Sequence, residues 1–172
     1  MIKTVRDAWK IPELRKKILF TIFALLIFRL GAAIPVPYIN SQELEVYLAA
    51  QSGTILGLMN AMSGSAFSMA TLFALSIQPY INSSIIIQLL TVAIPALERM
   101  AKEEGEVGKK KLERITRYTT VGLGLLMGVA YTIMLNNYNI LSADANFLSY
   151  VVIVLAFTAG SALVMWLGEQ IT

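Results

Sequence analysis

The chain has 172 residues, of which 56% are hydrophobic and only 15% are charged, whereas charged residues make up about 25% of typical soluble domains. Together with a mean hydropathy of +0.66, this composition predicts an integral membrane protein. Neither cysteine nor histidine is present, which excludes disulfides, cysteine nucleophiles and histidine acid–base catalysis. The net charge of +3 is too small to indicate nucleic-acid binding.

A basic, amphipathic lead occupies residues 1–17 and is suited to lie along the cytoplasmic membrane surface. Residues 18–37 predict the first spanning helix, which Pro35 and Pro37 end because residues before proline avoid helical backbone. Arg29 lies within this helix. We interpret it as a snorkelling or bundle-facing side chain rather than a catalytic one.

A short apolar stretch, residues 53–70, is rich in glycine and methionine and is interrupted at Gly64. Such a stretch, joined to a full-length helix, indicates a half-helix that folds back into a protein-lined cavity, because irregular backbone survives at membrane depth only there. An external loop with a surface helix explains the same residues equally well.

The second spanning helix is predicted at 71–97 and carries several amides and hydroxyls. On a helix of about 100° per residue, one narrow arc combines polar and apolar positions. Its members are Ile77, Ile81, Ser84, Gln88 and Thr91. This half-polar arc is typical either of a buried helix–helix contact or of an apolar constriction in a wet passage.

Charged residues return at 98–117, where Gly105 and Gly108 predict a flexible hairpin. Its GEVGKK run is not a nucleotide site, because Lys110 stands where a phosphate loop needs serine or threonine. Two more spanning helices are predicted at 118–135 and 147–167. In the first of them, Gly124 and Gly128 have the spacing that permits close helix packing.

Thirteen of the fourteen basic residues lie in the lead or in the 98–117 loop. Cytoplasmic loops are enriched in lysine and arginine, so we expect both ends and this loop to be cytoplasmic. The predicted fold is therefore an all-α membrane protein with four spanning helices and one re-entrant half-helix, in a single domain.

Several motifs, in this order and spacing, resemble SecY, the central subunit of the bacterial protein-translocation channel. They are FRLGAAIPVP at 28–37, GTILGLMNAMSG at 53–64, FALSIQPYINSSIIIQLL at 73–90, EGEVGKKKLERITRY at 104–118 and MWLGEQIT at 165–172. The resemblance implies a part of the channel that moves unfolded secretory proteins across the bacterial cytoplasmic membrane and releases membrane helices into it.

The resemblance also implies roles for particular residues. Ile77 and Ile81 would belong to the hydrophobic pore ring. One side of the lateral gate would include Asn82, Ser84, Ile85 and Gln88. The plug, residues 55–69, would include Ile55, Leu56, Leu58, Met59, Met62, Ser63, Gly64 and Phe67.

The resemblance further implies the partners SecE and SecG, the motor SecA or the ribosome, signal sequences of client proteins, and membrane lipid. It implies no enzymatic activity, cofactor or nucleic-acid binding of its own. The family pattern has ten spanning helices and this chain matches the first four, so the C-terminal remainder of SecY would be a further partner. We expect no transport by the chain alone.

A small transporter or channel subunit that oligomerises to form a pore is the alternative, because broken helices and polar residues at membrane depth suit transporters too. The near absence of ionisable residues in the predicted spans opposes ion coupling. Dependence on SecE and on a chain that supplies the later helices would discriminate between the two.

Overall fold

The computed structural model describes residues 12–102, 105–142 and 146–171. The first eleven residues of the predicted amphipathic lead lie outside this part. Within these ranges, seven helices follow one another: α1 Pro12–Gly31, α2 Ser41–Ala50, α3 Ile55–Met62, α4 Gln78–Ala93, α5 Pro95–Lys102, α6 Gly105–Asn137 and α7 Phe147–Ile171. The all-α prediction is confirmed, since helices account for 77% of the structure.

Two of the described helices, α6 and α7, are each long and apolar enough to cross a membrane. Helices α4 and α5 qualify only as a pair, and they are bent by 102° at the break between them. Helix α1 is not among these candidate spans, because it contains the charged residues Arg15, Lys16, Lys17 and Arg29. Helix α6 packs against α4, α5 and α7, and α1 also contacts α7.

The structure shortens two of the predicted spanning helices. The first helix ends at Gly31 rather than near Pro37, and the ring of Phe73 occupies the space that a side chain at Gly31 would take. The second starts at Gln78 rather than at residue 71. Pro79 was placed inside that helix, but it lies in the first turn, where a residue without an N–H costs nothing.

The 98–117 segment is mostly helical, contrary to the predicted flexible hairpin. Ile94, which precedes Pro95, is extended with φ −110° and ψ 113°, and α5 begins directly after it. Gly105 has φ +57°, and α6 starts there. Helix α6 has 33 residues, or about 50 Å at about 1.5 Å per residue, and so extends well beyond the roughly 30 Å of a hydrocarbon core.

A buried non-helical segment, residues 63–77, passes through the centre of the molecule. Its side chains Phe67, Ala70, Ala74 and Leu75 join the hydrophobic core with residues of α2, α6 and α7. Its backbone bonds to the chain after α1: the Val36 N–H donates to the Ala70 carbonyl at 3.0 Å. The Leu72 N–H donates to the Ile34 carbonyl, also at 3.0 Å.

Small residues allow close packing around α7. A side chain at Gly124 would meet the Ser161 Oγ at 3.0 Å, which confirms the close approach predicted from the Gly124–Gly128 spacing. A side chain at Gly160 would collide with the backbone carbonyl of Leu72. Nothing lies near Gly122, which faces away from these contacts. Backbone contacts of this kind are typical of helix packing in membranes.

Replacing Gly160 by alanine should therefore lower stability, because the new methyl group collides with rigid backbone; overpacking of this kind costs roughly 1–3 kcal/mol. Gly122→Ala is the matched control, since it adds a methyl group in open space and improves helix propensity. Thermal unfolding in detergent, followed by circular dichroism, should give a lower Tm for Gly160→Ala only. Equal Tm values for the two variants would contradict the packing described here.

Candidate functional site

Helix α4 is fixed to the bundle by one narrow face. Pro79, Ser83 and Ile87, spaced four residues apart, are its buried residues. The Ser83 hydroxyl donates to the Thr116 carbonyl of α6 at 2.9 Å. The Ser83 hydroxyl therefore links two helices. Another side of α4 is exposed and mainly apolar; it carries Ile81, Asn82, Ile85, Ile86, Leu89 and Val92.

Ile77 lies at the start of α4 and packs against the end of α7. It is half-buried and serves as the N-cap residue. An added Cβ at Gly168 would lie 3.5 Å from the Ile77 Cδ1 atom. Ile77 also lines a cavity of about 320 Å³ with charged side chains of α6 and α7, among them Arg117 and Glu169. This isoleucine therefore faces other parts of the protein and a partly polar cavity.

Ile81 follows one turn later and is exposed, with 40% of its surface accessible. Asn82 and Ile85 are exposed as well. The two predicted pore-ring residues therefore differ in their surroundings: Ile77 packs against other parts of the protein, whereas Ile81 is exposed. Ile81, Asn82 and Ile85 therefore lie on the exposed side of α4.

Ser84 and Gln88 share a second cavity of about 300 Å³ with Thr91, as their common arc predicted. The Gln88 Nε2 donates to the Ser84 Oγ at 3.4 Å. Lys109 and Glu113 of α6 line the other side. Asn82 and Ile85 are not among the residues lining this cavity, so the structure brings together only two of the four predicted gate residues.

The predicted plug residues fall into two groups. Helix α3 has no fully buried residue; Ile55, Leu58 and Met62 are exposed, while Leu56 and Met59 are half-buried. Beyond the helix, Gly64 is exposed, but Ser63 and Phe67 are buried. The Ser63 Oγ accepts the Phe67 N–H at 3.0 Å. The helix is thus loosely packed, whereas the segment that follows it is held firmly.

Tyr131 of α6 anchors that segment, and the sequence analysis did not identify it. Its hydroxyl donates to the Phe67 carbonyl at 2.8 Å. Its ring lies 4.6 Å from that of Phe67 and 5.1 Å from that of Phe157, centroid to centroid. A lone tyrosine in an apolar helix gives no sequence signal for such a contact, because the partner is a backbone carbonyl 64 residues away.

Ion pairs occur at the charged end of the bundle. The Arg117 Nε donates to the Glu169 Oε1 at 2.9 Å and so joins α6 to α7. On α5, the Lys102 Nζ lies 2.7 Å from the Glu98 Oε1, and this ammonium group holds the pKa of the Glu98 carboxyl below its usual value. Within the three described ranges, no group of acidic side chains converges as a metal site.

The sequence profile described as SecY matches residues 71–172, which is more than half of the chain. The chain belongs to the SecY family. The protein translocase subunit SecY of Streptomyces griseus is 45% identical over 182 residues, covering 100% of this chain and 41% of that protein. The subunit of Bacillus subtilis is 40% identical, covering 100% of this chain and 40% of the relative.

A third relative, the protein translocase subunit SecY of Pyropia yezoensis, is 44% identical over 93% of this chain and 38% of its own length. The SecY-family chain thus spans about two fifths of the length of the curated relatives it matches. The family membership predicted from the motifs is confirmed, and so is the relation to the N-terminal part of SecY.

Replacing Tyr131 by phenylalanine should loosen the 63–77 segment. The Phe67 carbonyl keeps a 3.2 Å bond from the Ala70 N–H, so the expected loss of stability is about 1 kcal/mol. Tyr150→Phe is the matched control, because the hydroxyl of Tyr150 bonds Asn136 at an exposed site. Hydrogen exchange should accelerate at the Val36 and Leu72 amides in Tyr131→Phe alone; equal exchange in both variants would refute the anchor.

Proposed function

We propose that this chain supplies the N-terminal part of a protein-conducting channel in the bacterial cytoplasmic membrane. Such a channel passes unfolded secretory proteins across the membrane and releases membrane helices into lipid. The proposal is supported mainly by the SecY-family match, together with the exposed, mainly apolar side of α4. Because α4 is bonded to α6 on one side and exposed on another, it is arranged as one wall of a passage that later helices complete.

In this proposal, Ile77 and Ile81 contribute to an apolar pore ring. They are one helical turn apart on α4, and the Ile81 N–H donates to the Ile77 carbonyl at 3.1 Å. Apolar constrictions exclude water and ions by dewetting. A ring of isoleucines can also yield around a passing chain, since it has no hydrogen bonds to break.

Residues 55–69 are proposed to form the plug. The loose packing of α3 supports this role, because segments that move are drawn from the less stable parts of a structure. Ile55 has 78% of its surface accessible, so moving it would break few contacts with the rest of this chain. The buried segment from Ser63 onward would then tether the plug to the bundle.

One side of the lateral gate is proposed to include Asn82, Ser84, Ile85 and Gln88, on α4. Their exposure or half-exposure is what an unpaired gate surface requires. An apolar signal helix would stabilise the open gate by gaining protein and lipid contacts there. The gate's other side would come from the C-terminal part of the protein.

The proposed partners are SecE, SecG, the C-terminal remainder of SecY, client signal sequences and membrane lipid. SecA or the ribosome would supply the driving force, so the chain itself would hydrolyse nothing. Both ends are proposed to be cytoplasmic, because thirteen of the fourteen basic residues lie in the N-terminal lead or the 98–117 loop, and four spans return the chain to the side on which it starts. SecY-family membership removes the main reason for considering a small oligomeric transporter.

The pore-ring role is tested in full-length SecY that carries this segment, reconstituted into vesicles with SecE and SecG. Ile77→Asn or Ile81→Ser should raise ion leak severalfold and should weaken the requirement for a strong signal sequence, because a polar side chain favours water in the constriction. Ile86→Asn is the control, since Ile86 lies on the other side of α4. Ion leak unchanged from wild type in both ring variants would contradict the proposal.

Dependence on missing partners gives a second test. The isolated chain should be recovered poorly from membranes. Co-expression with SecE and a C-terminal SecY fragment should raise its yield, and both partners should co-purify with it. The reason is that the amides of Asn82 and Gln88 are exposed, and partner helices would keep them out of hydrocarbon. Equal recovery with and without these chains would argue against the assignment.

A further inference from the structure

We propose that the Arg117–Glu169 ion pair is a positioning device for Ile77. This inference rests on the proposed pore-ring role of Ile77 and adds residues that set where its side chain lies. The pair lies on two helices, α6 and α7, that both flank the start of α4. Its atoms and the Ile77 side chain line the same cavity of about 320 Å³.

The connection between the pair and Ile77 is short. Gly168 has no side chain, so the backbone of α7 faces the Ile77 methyl group directly; even an added Cβ would be in van der Waals contact at 3.5 Å. Glu169 is the next residue along α7. Any shift of the Glu169 backbone therefore moves the surface on which Ile77 rests.

The pair also fixes that backbone against α6. The Glu169 side chain is only 18% exposed, whereas that of Arg117 is 52% exposed. A mostly buried carboxylate is costly without a partner, so without the guanidinium Glu169 would move toward water. That movement would carry Gly168 away from Ile77. The same surface would lose its shape if Glu169 became neutral and released Arg117.

A second ion pair, on α5, is a suitable contrast. Glu98 and Lys102 form an exposed pair one turn apart within α5, and neither lines the cavity that contains Ile77. Loss of that pair should leave Ile77 in place. The contrast separates a local positioning effect from a general effect of removing charge.

The experiment measures ion leak in the reconstituted full-length complex for Arg117→Ala, Glu169→Gln and the double charge swap R117E/E169R. Each single variant should raise leak severalfold over wild type, and the swap should return it toward the wild-type value. Lys102→Ala should behave as wild type. Arg117→Lys, which keeps the charge but lacks the Nε donor, serves as a milder variant if the others assemble poorly.

A local readout accompanies the leak measurement. In the same complexes in detergent, with isoleucine methyl groups labelled, the Ile77 δ1 signal should shift in both single variants and recover in the swap. The Ile86 signal should stay unchanged. A merely structural role would shift both signals and would not be rescued by exchanging the charges.

The outcomes keep the two proposals apart. If Ile77→Asn leaks while the single ion-pair variants remain tight, the positioning inference fails and the pore ring stands. If the single variants leak and the charge swap does not lower the leak, loss of the ion pair is not the cause of the leak, and the positioning inference fails. If Ile77→Asn and Ile81→Ser both remain tight, the proposed function itself fails.

Discussion

The structure depends on satisfying the backbone of a non-helical segment inside an apolar bundle. A helix meets this requirement with its own repeating hydrogen bonds, whereas residues 63–77 combine local turn bonds, such as that from the Ala70 N–H to the Phe67 carbonyl, with bonds to other parts of the chain. An unpaired buried backbone group costs roughly 1–3 kcal/mol. The chain after α1 supplies two backbone bonds to this segment, and Tyr131 supplies a third contact. Several non-glycine residues there have positive φ, namely Ser65, Ala70 and Ser76, so the surrounding contacts hold a strained path.

The anchored segment and the open face of α4 divide the molecule into a fixed part and an incomplete part. Around the segment, aromatic rings and small residues pack backbone against backbone, as at Gly160 and Leu72. Along α4, the side chains that contact α6 are buried, whereas Ile81 and Ile85 are 40% and 50% exposed. The chain spans about two fifths of the length of its relatives. We therefore expect an exposed surface of this kind where the rest of a SecY protein would pack.

The sequence predicted the parts whose signals are local. Hydrophobic length identified α6 and α7, and the Gly124–Gly128 spacing predicted a close helix contact on α6, although not its partner. It misplaced the start of α4, because Pro79 was taken as a residue inside a helix when it marks the first turn. It missed α2, because Glu43 and Glu45 on either side of the buried Leu44 make this stretch polar in sequence. The contacts of Tyr131, Ser83 and the Arg117–Glu169 pair join residues far apart in sequence, and residue type alone does not reveal them.

The length of α6 has a mechanical consequence. Its first turns, rich in lysine and arginine, belong to the same helix as the part that contacts α7, and the helix contains no proline, the commonest cause of a sharp kink. The basic end near Lys109 and the close contact at Gly124 are therefore joined without a break, and a displacement of one is transmitted to the other through the helix backbone.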